Sequence, residues 1–182
     1  MQASVIVSTY EAPRELDLVF SGLSCQTKCP DEVLIADDGS GLETQEVVEN
    51  WRHKLSFPVK YCRQEDRGYR KARIVNEAVR QSGGEHLIFI DGDSFPHKDW
   101  VKDHLSAADH QRILCGRRVK LGPRLSPRVS REQVLSGFFD RPWGLLGSAI
   151  SGDTKRLPLG FRLPAWLARI FHPRPRRLMG VN

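Results

Sequence analysis

Residues 86–95 read HLIFIDGDSF. Four consecutive apolar residues, Leu87, Ile88, Phe89 and Ile90, predict a strand buried on both faces, as in a parallel sheet covered by helices. The run ends in two acids one residue apart, Asp91 and Asp93, with Gly92 between them. Like charges a few ångströms apart repel, so a strand ending this way calls for a cation, and a divalent metal is the first candidate. In open α/β sheets the ligand crevice lies at the carboxyl ends of the strands. Asp91 and Asp93 are therefore the leading candidates for the chemistry of this chain.

Outward from that stretch, apolar runs alternate with helical patterns. Residues 3–8 (ASVIVS) and 32–36 (EVLIA) predict buried strands rich in β-branched side chains, and 59–63 a third, weaker one. Pro13 stands where a helix begins, and Leu16, Val19, Phe20 and Leu23 recur at helical spacing behind it. Further helices are predicted over 44–54, over 72–81 (stopped by Ser82-Gly83-Gly84) and over 98–108, with a fifth strand over 113–119. This β-α alternation with short connections predicts one α/β unit, a mainly parallel sheet with right-handed crossovers and helices on both faces. Beyond 119 the pattern weakens; residues 131–139 and 165–171 are short helix candidates.

Two other strand ends carry polar residues: Ser8-Thr9-Tyr10-Glu11 and Asp37-Asp38-Gly39-Ser40. Taken singly, each reads as a loop with polar caps, Thr9 or Asp38 starting a helix or an Asx-turn. Three such ends on one edge of a parallel sheet, two of them acidic doublets, point instead to a ligand site. No glycine-rich phosphate loop of the G-x-G-x-x-G or G-x4-G-K-[ST] type is present. A phosphate ligand at this acidic edge is then approached through a metal, which favours a metal-bridged nucleotide. Arg67, Arg70 and Lys71 beside Gly68 form a basic loop that reads either as a cover for a phosphate ligand or as a solvated loop, and His97 reads as a surface histidine.

With 182 residues, 40% hydrophobic and 27% charged, the chain has the profile of a soluble globular domain. No apolar run approaches the ~18 residues of a spanning helix, and no leader pattern precedes the first strand, so a cytoplasmic location is expected. The net charge of +6 is uneven: residues 155–182 hold seven basic residues and no acid, while the 154 before them hold 21 basic and 22 acidic ones. That distribution argues against nucleic-acid binding by the main domain. Cys25 and Cys29, without a second pair or histidines at ligand spacing, are a weak zinc signal, and reduced thiols are expected.

Together, VIVSTYEAPRELDLVFSGLSCQT (5–27), EVLIADDGS (32–40), KARIVNEAV (71–79) and GEHLIFIDGDSFPHKDW (84–100) resemble family 2 glycosyltransferases of the GT-A fold, most of all bacterial enzymes of lipopolysaccharide core or capsule synthesis. The resemblance runs from residue 4 to about 119 and weakly to Gly180-Val181-Asn182. It implies transfer of a sugar, with inversion, from a nucleotide-diphospho-sugar (a UDP-sugar first) to a glycan or lipid-linked acceptor. It implies that Ser8, Tyr10 and Glu11 hold base and ribose, that Asp38 accepts a hydrogen bond from the base, and that Arg73 lies near the diphosphate. Asp91 and Asp93 match the D-x-D motif, with Asp93 the direct ligand of Mn²⁺ or Mg²⁺ and Asp91 near the ribose and the metal's waters.

The same resemblance divides the chain into a nucleotide-sugar-binding α/β part, 1–119, and an irregular basic part, 120–182, that begins the acceptor side of the same domain. The family's general base comes from a segment expected beyond Asn182, and no acid after Asp93 has its context, so the catalytic base is unassigned and the chain reads as truncated. A catalytically incompetent nucleotide-sugar-binding remnant is the alternative. An aspartyl-phosphate hydrolase is disfavoured, because its nucleophile strand comes first in order and this one is fourth. Finally, Phe161, Leu163, Trp166, Leu167, Ile170 and Phe171, interleaved with Arg162 and Arg169, read either as a segment lying on an anionic membrane or as a lid helix on the sheet.

Overall fold

Apolar residues on both sides of β1 (Ala3–Thr9) and β2 (Glu32–Asp37) force these two strands into the middle of the molecule, where nearly every residue is buried. A computed structural model describes residues 1–109 and 113–160. Around the central pair run α1 (Pro13–Ser24), α2 (Leu42–Arg52), β3 (Val59–Arg63), α3 (Lys71–Gln81), β4 (His86–Asp91) and α4 (Trp100–Ala107). Two short helices follow, α5 (Arg131–Leu135) and α6 (Leu146–Ile150). The sheet has the order β3-β2-β1-β4 and every pairing is parallel. It is the predicted α/β architecture with helices on both faces.

The strand alternation decides which helix covers which face. Val5, Val7, Val33, Ile35 and Ile88 pack with α1, α2 and α4 in the larger core, and Ile6, Leu34, Ala36 and Cys62 meet Ile74 and Ala78 of α3 on the other side. Phe20 of α1 stacks on Trp51 of α2 with ring centroids 5.8 Å apart. Each such buried side chain contributes about 1.5–3 kcal/mol. Gly22 is fixed by contact: a Cβ there would lie 2.8 Å from the Pro96 ring, so only glycine lets α1 close on the turn that follows β4.

Residues 120–140 are docked on the outer side of α1. Leu18, Val129 and Val134 form a small apolar cluster with Phe95, Leu121 and Phe139. Arg14 donates to the carbonyls of Ser126, Pro127 and Val129 at 2.9–3.1 Å. Asp17 accepts from Trp51 Nε1 at 2.7 Å and from Arg131 Nε at 3.0 Å, and the Arg131 guanidinium lies over the Trp51 ring.

Three expectations are corrected. Residues 113–119 form no strand: Ile113 is exposed, and among the described residues the only ladder contact nearby is a single bridge, Lys120 with Lys155. None of its residues is buried against the sheet, and its Arg118 lies 3.5 Å from Asp91 instead. β4 is buried on one face only, with Ile88 at 1% and Phe89 at 54% exposure, because it is the sheet edge and α3 packs over β1, β2 and β3. The helix expected over 131–139 stops at Leu135, where Gly137 turns the chain at φ +70° into a 3-10 turn, Phe138–Asp140. The helix candidate over 165–171 and the C-terminal membrane segment lie outside the described residues. No described helix is long and apolar enough to cross a membrane, and the cysteines are free.

His104 of α4 sits edge-on to Trp100 and 6.2 Å from the His86 ring. Burial, then the neighbouring His86, lower its pKa, against a smaller opposing effect of Asp103. The folded value lies below the unfolded one, so the neutral ring favours the fold above about pH 6.5 and that stability is lost as pH falls through this value. Thermal melts at pH 7.5 and 5.5 are expected to show a lower Tm at the acid pH and a smaller difference in His104→Gln; equal differences in both proteins would exclude His104 as the source.

Candidate functional site

The parallel register brings the strand ends together. Thr9 pairs with Asp37, Asp37 with Arg63, and Ser8 with Asp91. Ser8 Oγ donates to Asp91 Oδ1 at 3.3 Å. Gly92 N donates to Ser8 O at 2.7 Å, and a Cβ on Gly92 would lie 2.9 Å from that oxygen, so the turn between the two acids is pressed against the end of β1. Beneath it, Thr9 Oγ1 is buried and has no hydrogen-bond partner among the described residues.

The first acid of the β2 end is structural. Asp37 is fully buried and its Oδ1 accepts from Gly39 N (3.1 Å), Ser40 N (2.9 Å) and Ser40 Oγ (2.6 Å), while Oδ2 accepts from Tyr61 OH. Burial and the Asp37 charge push the Tyr61 phenol well above its ordinary range, so the hydroxyl stays a donor. Asp38, on the opposite side of the strand end, accepts from Gln64 Nε2 and from Arg70 N (2.8 Å), and so anchors the 64–70 loop. Gly39, at φ +107°, is where that loop passes: a Cβ there would fall 2.6 Å from Asp66 Cα. Glu11, in the left-handed region at φ +45°, ties the β1 and β2 loops together. Its N–H donates to Ser40 Oγ at 2.9 Å and its Oε1 accepts from Gly41 N at 2.7 Å.

Between these loops Tyr10, Asp38, Gly68 and Tyr69 line a cleft of about 100 Å³. Tyr10 and Tyr69 are both exposed. Tyr10 OH donates to Asp66 Oδ2 at 3.0 Å, and this bond and the Asp66 charge raise its pKa.

Of the basic loop, Lys71 reaches the acidic edge: its Nζ is 2.6 Å from Asp91 Oδ1, and Arg118 is 3.5 Å from Asp91 Oδ2. Arg67 pairs with Glu65, and Arg70 donates to the Glu65 carbonyl. Among the described residues the Arg73 side chain pairs with neither Asp91 nor Asp93. It is exposed on α3 near Glu77, whose pKa is lowered by Gln81 and Arg80 first and by Arg73 last. His97 is half-buried, not a surface residue: it accepts from Asp99 N at 3.1 Å and lies 3.6 Å from Asp140 Oδ1.

Asp93 is exposed, with only Ser94 Oγ at 3.1 Å and no cation beside it among the described residues. Asp91 already attracts two cations. No cluster of three or more ligating side chains exists among the described residues. Two carboxylates at one rim fit a hard divalent ion that takes its remaining ligands from water and from a bound phosphate. The residues therefore fit Mg²⁺ or Mn²⁺ held jointly with a ligand.

Lys71 and Arg118 were hidden from sequence reasoning for different reasons. Lys71 was legible only as part of a basic loop, and Arg118 lay in a segment read as strand. Asp37 was visible as one of two adjacent acids, which alternate across a strand so that one must point inward. Replacing Asp37 with Ala leaves buried donors unmatched and is expected to destabilise by more than about 2 kcal/mol. Urea unfolding checks this; a loss under about 0.5 kcal/mol, the range of an ordinary surface change, would show that the loop does not depend on it.

The sequence pattern described as Glycosyl transferase family 2 matches residues 4–164. The chondroitin synthase of Pasteurella multocida (strain Pm70) is 33% identical over 136 residues, 73% of this chain and 14% of that protein. The poly(ribitol-phosphate) beta-N-acetylglucosaminyltransferase TarS of Staphylococcus aureus (strain Mu50) is 33% identical over 118 residues, 63% of this chain and 20% of that protein. The chain thus spans a small part of either relative. The crystal structure of S. aureus TarS superposes with a TM-score of 0.50 at 31% identity, over 58% of this chain and 19% of that one. The mannosyltransferase PcManGT from Pyrobaculum calidifontis, solved with GDP-Man and Mn²⁺, shares the fold at 22% identity, with a TM-score of 0.53 over 78% of this chain and 40% of that one. With the parallel sheet and its acidic edge, these matches make the chain a member of glycosyltransferase family 2, built on the GT-A fold.

Proposed function

We propose that this chain carries the donor site of an inverting glycosyltransferase, which moves a sugar from a metal-bound nucleotide-diphospho-sugar to a glycan or lipid-linked acceptor in bacterial surface polysaccharide synthesis. The observation that carries the reading is the meeting of three polar strand ends on one sheet edge, with Asp38 beside the Tyr10–Tyr69 cleft and Asp91 and Asp93 at the rim. A base seated between the two tyrosines has Asp38 within the same cleft, while Ser8 bonds to Asp91 and Glu11 to Ser40 at the neighbouring strand ends. Two relatives named for polymer-directed sugar transfer support a polymeric acceptor, and the one named for N-acetylglucosamine transfer supports an amino-sugar donor.

In this reading Asp93 and Asp91 hold the Mn²⁺ or Mg²⁺, which supplies Lewis-acid stabilisation of the departing nucleoside diphosphate. Lys71, paired with Asp91, adds a positive charge where negative charge accumulates. Inversion requires a base opposite the leaving group; none is assigned among these residues. Residues 1–119 form the nucleotide-sugar part and 120–182 begin the acceptor side. The basic, apolar C-terminal stretch of the sequence supports a peripheral position on the cytoplasmic face of the membrane, where a lipid-linked acceptor is reached.

Calorimetry with UDP and Mn²⁺ tests the reading, alongside a donor-hydrolysis assay with EDTA controls. Wild type is expected to bind UDP in a metal-dependent way. Asp93→Asn is expected to lose that dependence, with at least tenfold weaker binding, an unchanged circular dichroism spectrum and no metal-dependent hydrolysis. Equal metal-dependent binding by both proteins would sink the assignment of Asp93. Binding without turnover in the wild type would identify a nucleotide-sugar-binding module instead of an enzyme.

A further inference from the structure

Apart from the donor edge, residues 120–124, 151–153 and 155 wall a cavity of about 480 Å³. The walls meet at an antiparallel bridge, in which Lys120 N donates to Lys155 O at 2.9 Å and Lys155 N to Lys120 O at 2.8 Å. Two residues that exchange both hydrogen bonds stand directly opposite one another with their side chains on one face. Like charges at such a pair are destabilising. Both lysines are exposed, and neither ammonium has a carboxylate partner among the described residues. No acid occurs in the sequence from 155 to 182.

Arg124 adds a third cation to the lining. Its one acid, Asp153, has its carboxylate turned to backbone, accepting from Arg124 N at 3.2 Å and Leu125 N at 2.9 Å. Those bonds hold the 122–125 turn in place without pairing with any of the three side-chain cations. The walls are also fixed by contact: a Cβ on Gly122 would fall 2.1 Å from Asp153 O, so only glycine lets the two segments close to this distance. The chain leads here from the donor edge. Arg118 lies 3.5 Å from Asp91, and Lys120 is two residues further on, at most about 7 Å of extended chain.

We propose that this cavity is an anion subsite that takes a phosphodiester or carboxylate group of a polyanionic acceptor chain. The paired lysines hold a charge arrangement that a bound anion relieves, and Arg124 supplies a fork for its oxygens. Assignment to the acceptor rests on the donor reading above; the anion site itself does not.

The test is fluorescence anisotropy with three labelled oligomers of equal length: poly(glycerol phosphate), oligogalacturonate and neutral dextran. The double variant Lys120→Gln/Lys155→Gln is compared with wild type. At least one anionic oligomer is expected to bind wild type, more weakly as salt rises, and to lose at least tenfold in affinity in the variant, while dextran does not bind. Which anionic oligomer binds identifies the phosphate or the carboxylate source. UDP–Mn²⁺ binding is expected to be equal in both proteins, since neither lysine belongs to the donor site.

Lys120→Glu places opposite charges across the bridge and is expected to abolish oligomer binding with no loss of Tm, which separates a charge effect from misfolding. Failure of both anionic oligomers to bind overturns the proposal, as does equal binding by wild type and variant. Binding confined to anionic phospholipid vesicles also overturns it. If oligomer binding depends on the lysines but UDP–Mn²⁺ does not bind at all, the anion site stands and the donor reading falls.

Discussion

Four carboxylates share the carboxyl edge of one parallel sheet, and the loops of this protein are shaped by how each negative charge is met. Asp37 is sealed in the interior by two backbone N–H groups and the hydroxyls of Ser40 and Tyr61. Asp38 takes a side-chain amide and a backbone N–H from the 64–70 loop. Asp91 takes the Lys71 ammonium, with Arg118 beyond it. Asp93 is left to solvent. This gradation, from fully satisfied to open, runs from the centre of the sheet to its rim. It follows burial: an unpaired charge costs several kcal/mol in the interior and little at the surface.

The same gradation separates scaffold from chemistry. Because Asp37 fixes the turn after β2, Asp38 is held where it can tether the 64–70 loop, and that loop in turn carries Tyr69 to the cleft and starts α3 at Lys71. The Glu11 bridge to Gly41 locks the β1 loop to the same unit. Removing an inner carboxylate thus disturbs every outer one, whereas a change at Asp93 touches only the rim.

Much of this was legible in the sequence, for identifiable reasons. The β-branched runs of β1 and β2 and the apolar stripe Leu16-Val19-Phe20-Leu23 carry their periodicity openly, and parallel pairing then brings the strand ends together without further information. What was not legible depends on where loops end. Residues two apart on a helix project about 200° from one another, so the choice between Lys71 and Arg73 as the cation of the acidic edge turns on how the 64–70 loop, tied by Asp38, orients α3. Counting apolar residues likewise suggested a strand over 113–119 and two-sided burial of β4. Both failed because neither count says which element lies alongside.

The Lys71–Asp91 pair shows why a cationic side chain at this edge does not close the site. Its two side chains are 29% and 24% exposed, between the surface, where an ion pair contributes at most about 1 kcal/mol, and the interior, where parting a pair costs several. That intermediate strength is enough to relieve repulsion among neighbouring carboxylates and too little to compete with a doubly charged ion bridged by a diphosphate. A buried pair would be costly to part and would freeze the rim. At the mouth of the sheet the pair keeps the acids compatible with folding while leaving Asp93 open to a stronger cation.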